Sequence, residues 1–424
     1  MTKFRTFLLS LAFLGFIVSS TWAQSVYVGG EFNNKATIWK NGTPTILSTR
    51  SSKIFSVVVD NGIVYAAGYE FDEVSHKLVA KLWKNNEEKY AISADLPPEQ
   101  GKLTMIFSVA VSGNDVYMAG VKDGIGKMWK NGVEELGYTN AQEVRSVLIR
   151  GNKIFAAGST ISGEAVVWEN GALLYTLTAG TYLTNEAHSI AIDDNGDVYT
   201  VAYEWIEIGI GDGKWLPKVF KNNAEFYTLG TIGTNSKHGL GLYISNGIIY
   251  VAGHELISGK GYVAKLWTDG VDANLVTDAT QGSFALSVFV QGNDVYVTGY
   301  QFSNGKALLW KNNGVPTTLA AGINCGAYSV FVTPEDADIA EMEGKVFLQV
   351  YPNPTTGELR IDNGELIMEN VEVFDISGKK LKGESKKENG EKEVLIDISE
   401  LAVGVYFLRI ITDQGEVVKK VLKK

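Results

Sequence analysis

The chain is poor in cysteine, proline and histidine: one Cys, eight Pro and four His in 424 residues. With Cys325 alone, no intramolecular disulfide can form, so stability has to come from burial. Its surroundings, Ile323-Asn324-Cys325-Gly326-Ala327, offer no cation or base to activate a thiol, and Cys325 reads as a small buried residue. The histidines are nowhere at metal-ligand spacing, so no catalytic zinc, other metal or cofactor is expected. Positive charge is also in deficit. Lys and Arg number 38 against 48 Asp and Glu, a net charge of −10, which excludes the basic surface that nucleic acid requires. No apolar run beyond the N-terminus is long enough to cross a bilayer, so the mature chain is expected to carry no transmembrane segment. What the chain has in quantity is glycine, 46 residues, with 45% hydrophobic and 11% aromatic residues, a composition too apolar for disorder.

The first 23 residues have the layout of a secretory signal peptide: basic Met1-Thr2-Lys3-Phe4-Arg5, an apolar stretch from Phe7 to Val18, then Ser19-Ser20-Thr21-Trp22-Ala23 before a cut after Ala23. The stretch is short for a membrane anchor.

Residues 24–333 repeat one unit seven times. Its landmark is an aromatic residue at a turn: Trp39-Lys40-Asn41-Gly42, Trp83, Trp129, Trp168, Phe220, Trp267 and Trp310, spaced 39 to 52 residues apart. A period in the forties, rich in strand formers and turns, is the mark of propeller blades. Each unit divides into four short strands. The first is Ser-Val-x-Val, as in Ser56-Val57-Val58-Val59, and the second Val-Tyr-x-Ala-Gly, as in Val64 to Gly68. The third ends at the aromatic landmark, and the fourth follows an Asn-Gly type turn. Unit one starts at its second strand, Val26-Tyr27-Val28, and an orphan Ser329-Val330-Phe331-Val332 follows unit seven. The end of the region should therefore supply blade one's innermost strand and close the ring, hiding an open edge. The expected fold is all-β: a seven-bladed β-propeller, a linker over 334–345, and a small immunoglobulin-like β-sandwich over 346–424.

Repeated residues are scaffold, with the tryptophans expected to pack between blades. Function belongs where units differ, on the face carrying the loops between strands two and three. There, strand-two exits read Tyr69-Glu70-Phe71, Tyr203-Glu204-Trp205, His254-Glu255-Leu256 and Tyr300-Gln301-Phe302 in blades two, five, six and seven. Blade five adds the longest loop, Ile206 to Pro217, with Trp215; His188 and His238 precede the first strands of blades five and six, near the axis. Two readings stand for the Tyr-Glu pairs: interblade hydrogen bonding at the rim, or sugar recognition by aromatic faces and carboxylates. As a whole the region reads as a noncatalytic glycan- or protein-binding module. The alternative is an extracellular hydrolase or lyase acting on polysaccharide through these acids and histidines, which needs two carboxyls at a set separation. Gly209 to Gly213 lacks the strand-to-helix context and lysine spacing of a phosphate loop. Asp193-Asp194-Asn195-Gly196-Asp197 lacks the glutamate a calcium loop requires and reads as a turn.

The tail holds Val350-Tyr351-Pro352-Asn353-Pro354-Thr355-Thr356-Gly357 and Leu401-Ala402-Val403-Gly404-Val405-Tyr406-Phe407-Leu408-Arg409-Ile410, with a basic end at Lys419 to Lys424. This pairing resembles the type A C-terminal sorting domain of the type IX secretion system of Bacteroidota; the sorting motif falls on Tyr351, Pro352, Asn353, Pro354, Gly357, Gly404 and Tyr406. The resemblance covers only the tail. It implies the secretion machinery as a partner, and a route through the periplasm to the outer-membrane surface or the medium.

Overall fold

Alternation sets the strands. In Ser52–Asp60, Ile54, Val57 and Val59 are buried while Lys53, Phe55 and Val58 are half-buried, the period of two that puts successive side chains on opposite faces. The alternation slips once, between Ile54 and Ser56, where one extra residue makes a β-bulge. The computed structural model describes residues 24–95, 102–135, 137–138, 140–178, 185–209, 212–230, 236–258, 261–275, 282–303, 305–334, 349–362, 368–375, 379–384, 393–412 and 415–424. The expected leader, 1–23, and positions 335–345 of the expected linker lie outside the described residues. Two compact units result, one spanning Gln24–Pro334 and the other holding the described residues from 349 onward.

The first unit is seven four-stranded antiparallel sheets. Six are continuous in sequence. The seventh joins Gly326–Pro334 to Gln24–Phe32, with Val26 opposite Val332 and Val28 opposite Val330, so the two ends of the unit share one sheet. The seven innermost strands touch in a cycle: Gly326–Pro334, Ser52–Asp60, Met105–Ser112, Ala141–Arg150, Glu186–Ile192, Lys237–Ser245, Ser283–Gln291, and back to the first. The ring is a β-propeller closed by its last strand. Pro334 ends that strand and belongs to the propeller unit, where the sequence suggested the start of a linker.

Aromatic wedges fill the spaces between sheets. Trp39, Trp129, Trp168, Trp267 and Trp310 are almost fully buried. Each packs into a core drawn from two neighbouring blades. Trp310, for example, lies among Ala252, Ala264 and Leu266 of blade six and Val288, Val297 and Leu308 of blade seven. Phe220 fills the same place between blades four and five. The repeated Asn at the turn has two tasks. Asn41 adopts a left-handed φ of 51° ahead of Gly42, as a tight hairpin requires. Its side-chain oxygen accepts the Val26 N–H at 2.8 Å, and the equivalent residue of every other blade repeats the bond.

One expectation fails in blade five. Ile206 to Pro217, read as a loop, is a β-hairpin: Val198–Gly209 pairs with Asp212–Lys221, and Trp205 faces Trp215 across it. Alternating large residues at 205 to 207 and 214 to 216 extend both strands beyond the blade, and glycines near the tip hid this strand pattern.

In the second unit, a three-stranded and a four-stranded sheet enclose one core of Leu359, Ile361, Val394 and Ile396 against Val371, Val373, Tyr406, Leu408, Ile410 and Val421. Four of the expected sorting-motif positions make contacts that hold this fold together. The Asn353 side chain donates to Lys420 O at 2.8 Å and accepts from Leu422 N at 2.9 Å, pinning the Pro-Asn-Pro turn to the last strand. Gly357 sits where a Cβ would lie 2.8 Å from that of Ser399, and Tyr406 Oη donates to Ala402 O at 2.6 Å. Gly404 opens its strand opposite Lys423.

Candidate functional site

The bulge in Ser52–Asp60 recurs at the same register in all seven innermost strands. A bulge re-aims one side chain, and here the extra residues are Phe55, Phe107, Arg145, His188, Leu240, Leu286 and Tyr328. All seven line a cavity of about 480 Å³. The glycine that ends the second-strand motif in most blades makes room for the bulge. A Cβ on Gly68 would meet Lys53 O at 1.8 Å, and one on Gly299 would meet Phe284 O at 1.8 Å. The serine after the bulge holds the ring together: Val57 N donates to Ser329 Oγ at 3.1 Å, Val109 N to Ser56 Oγ at 3.2 Å, and Val147 N to Ser108 Oγ at 3.2 Å.

Rings run in an almost unbroken series around these bulges. His188 lies 5.0 Å from Tyr203, Tyr203 5.0 Å from His238, His238 4.8 Å from His254, and His254 4.7 Å from Phe284. Phe284 stacks on Tyr300 at 4.7 Å; Tyr300 is 6.1 Å from Tyr328, Tyr328 5.7 Å from Phe55, and Phe55 5.8 Å from Phe107. The Arg145 guanidinium lies 4.3 Å over Phe107 and completes the circuit toward His188. Trp205 and Trp215 join through Tyr203, which is 5.1 Å from Trp215, and Tyr69 joins through Phe55 at 5.8 Å.

Polar groups concentrate at blades four and five. Arg145 is paired with Glu143, and its Nη2 lies 3.4 Å from Glu186 Oε2. That same oxygen accepts the Tyr203 hydroxyl at 3.0 Å and lies 3.0 Å from His188 Nε2. Burial pushes the Glu143 carboxyl up, opposed by Arg145. Burial pushes Glu186 up too, but His188, Arg145 and Tyr203 outweigh it and hold the carboxyl at about 2. Burial lowers His188 against the opposing pull of Glu186, and lowers His238 to about 4 and His254 to about 3, so the latter two imidazoles are neutral near pH 7. The Nδ1 atoms of His238 and His254 are buried without a hydrogen-bond partner among the described residues. At blade one, Tyr328 Oη donates to Glu31 Oε1 at 2.8 Å, and Lys53 Nζ lies 2.9 Å from the same oxygen.

The structure separates the sequence-derived candidates. Tyr69, Tyr203, Trp205, Trp215, His188, His238, His254 and Tyr300 are brought together in the ring series. The glutamates beside them point to the opposite sheet face, into ion pairs with a lysine of the next strand, and Glu70 also reaches the connection from blade one. Glu70 accepts from Ser48 Oγ at 2.6 Å and pairs with Arg50 at 3.3 Å and Lys81 at 3.7 Å. Glu204 pairs with Lys218 at 2.8 Å; Glu255 pairs with Lys265 at 3.0 Å and Lys237 at 3.4 Å. Lys81, Lys218 and Lys265 each reach on to an outer-strand acid, Glu88, Glu225 and Asp272. Gln301 is buried at the end of its strand, opposite Ser283. Sequence reasoning missed Glu143 and Glu186, which stand beside the cavity, and every bulge residue other than His188. A signal for the bulge residues was present. The position before the repeated serine, or before Gly241 in blade six, varies from Phe to Arg to His to Leu, while its neighbours largely repeat.

Residues 349–424 match the family model described as Secretion system C-terminal sorting domain. A comparison with curated proteins gave no match. Among solved structures, the chain is similar to the β-propeller domain of the Trilobed protease from Pyrococcus furiosus, at 10% identity and a TM-score of 0.41, covering 86% of this chain and 94% of that one. It is similar also to the Dos1 propeller, at 12% identity and a TM-score of 0.36, covering 94% and 95%. Likeness this low adds nothing to the topology described above. The chain is thus an all-β protein in which a propeller precedes a tail matching the secretion-system sorting domain, a tail that implies export by the type IX route to the cell surface or beyond.

Proposed function

We propose that this is a secreted or cell-surface propeller of Bacteroidota, led through the periplasm by its N-terminal signal, that binds a glycan in the axial cavity without turning it over. One observation carries the reading. At the bulge, where the scaffold requires only an extra residue, the seven blades supply seven side chains that line one cavity, four of them aromatic or imidazole rings. Ring faces pack on the C–H faces of pyranoses, and Arg145, Glu143, the His188 imidazole and the Tyr300 hydroxyl, all from residues lining the cavity, offer donors and acceptors to sugar hydroxyls. The volume suits a ligand of one or a few sugar units.

The test is a polysaccharide array probed with the full-length protein beside two variants, Phe107→Ala to remove a ring and Leu240→Trp to fill the cavity. Glycan binding by the wild type that both variants lose, with melting temperatures near that of the wild type, is the expected result. Binding that survives in the filled variant would place the site elsewhere.

A second reading, hydrolysis of the bound glycan, is favoured by Glu143 and Glu186 alone. Two carboxyls held beside one guanidinium with affinities for protons pushed in opposite directions are the arrangement an acid and its partner base require. Release of reducing ends from the array hits, abolished in Glu186→Gln, would establish it in place of simple binding.

A further inference from the structure

Resting on the glycan reading, the charge arrangement of the cavity narrows the class of glycan. Arg145 is the one Lys or Arg among the described residues lining the cavity. Its guanidinium is already paired with Glu143 and lies 3.4 Å from Glu186. Glu186 is itself held by the Tyr203 hydroxyl at 3.0 Å, so it stays in place whether or not a ligand is present. A second cation, Lys53, sits behind Tyr328, 4.6 Å from its ring, and is 2.9 Å from Glu31. Both cations are therefore matched inside the fold, and the Arg145 pole holds two carboxylates for one guanidinium.

We infer that the axial cavity selects uncharged glycans and rejects uronic-acid and sulfated ones, with Glu143 and Glu186 as the residues that impose the choice by occupying Arg145. An incoming carboxylate or sulfate would have to leave water for a site where its natural partner is taken and a carboxylate lines the wall. Both effects act against it. A neutral sugar loses nothing of the kind, because its hydroxyls bond equally to a paired guanidinium edge, a carboxylate or a neutral imidazole. Discrimination of this sort comes from a built-in repulsive element and not from extra contacts to the preferred ligand.

The experiment is calorimetric titration of the full-length protein with size-matched trisaccharides. The neutral members are cellotriose, xylotriose, mannotriose and laminaritriose; the acidic members are trigalacturonate and triguluronate. The wild type is expected to bind at least one neutral member and to bind the acidic ones at least tenfold more weakly. In Glu143→Gln/Glu186→Gln, the amides keep hydrogen-bond acceptors beside Arg145 but free its charge, and the acidic members should gain tenfold or more in affinity. If the double variant does not fold, Glu143→Gln alone should shift the ratio in the same direction. Equal or tighter binding of a uronate by the wild type overturns this inference and leaves the glycan reading standing. An unchanged neutral-to-acidic ratio in the folded variants removes the assignment to the two glutamates. Failure of every trisaccharide, neutral and acidic, overturns the glycan reading and the selectivity with it.

Discussion

At the scale of single residues, adjacent positions in the repeat have different tasks, set by the sheet face each one occupies. Tyr203 and Glu204 are adjacent, yet Tyr203 joins the rings near the axis while Glu204 pairs with Lys218 on the other face. That division follows from the period of two, which any strand pattern carries in its own residues. The bulge is different: it adds one residue to the inner strand, and its presence depends on a partner strand that the sequence does not display. Burial of the histidines ties the stability of the fold to pH. His238 and His254 hold folded pKa values of about 4 and about 3, below the ordinary 6.5, because burial among Tyr203, Trp215, Tyr262 and Phe284 penalises the charged form. The unfolded chain therefore takes up protons first. The stabilising contribution is complete above pH 6.5 and is lost as the pH falls toward the folded values, by up to about 1.4 kcal/mol per pH unit for each histidine. Between pH 6.5 and 5 most carboxylates stay ionised, so the histidines dominate. Denaturant unfolding at pH 7, 6 and 5 should show stability declining, and His254→Phe should flatten the decline; a stability independent of pH over that range would contradict the neutral state.

At the scale of the element, the strand Gly326–Pro334 decides whether the ring is a ring. It completes the sheet begun by Gln24–Phe32 and buries Val330 and Val332 beside Trp39 and Tyr296. Without it, the edge of Gln24–Phe32 exposes a row of unpaired N–H and C=O groups and an apolar face. A chain ending at Asn324 should therefore self-associate on size exclusion and lose its cooperative melt, whereas one ending at Pro334 should stay monodisperse. A cooperative melt in the shorter chain would show that closure is dispensable. The need for this strand was legible in the sequence, from a missing first copy and an orphan last one. The blade-five hairpin was not, because glycines at its tip resemble a loop, and only the pairing of Trp205 with Trp215 shows both strands continuing.

At the scale of the molecule, the chain joins a propeller to a separate tail that matches a sorting domain. The tail matches a sorting domain over 349–424, and its motif asparagine is spent on holding the fold of that domain. In a host with a type IX system, deleting residues 335–424 should leave the protein inside the outer membrane, with unchanged far-ultraviolet circular dichroism for the propeller. Fractionation of cells and medium reads the outcome, and surface display of the shortened chain would detach export from the tail.

The sequence alone determined the architecture, the closing strand, the interblade aromatics and the tail, because each rests on periodic or contiguous residues whose physics is local: alternation, turn chemistry, and a large ring at a fixed register. It also marked the face of the propeller where blades differ. Only the tertiary structure decided which side chains meet at the axis. Glu70, Glu204 and Glu255 stand out in the sequence but are neutralised by lysines of the next strand; Glu143 and Glu186 carry no distinguishing pattern in the sequence but converge on Arg145 from two blades beside the cavity. Convergence of that kind depends on contacts between strands some forty residues apart, which leave no local pattern.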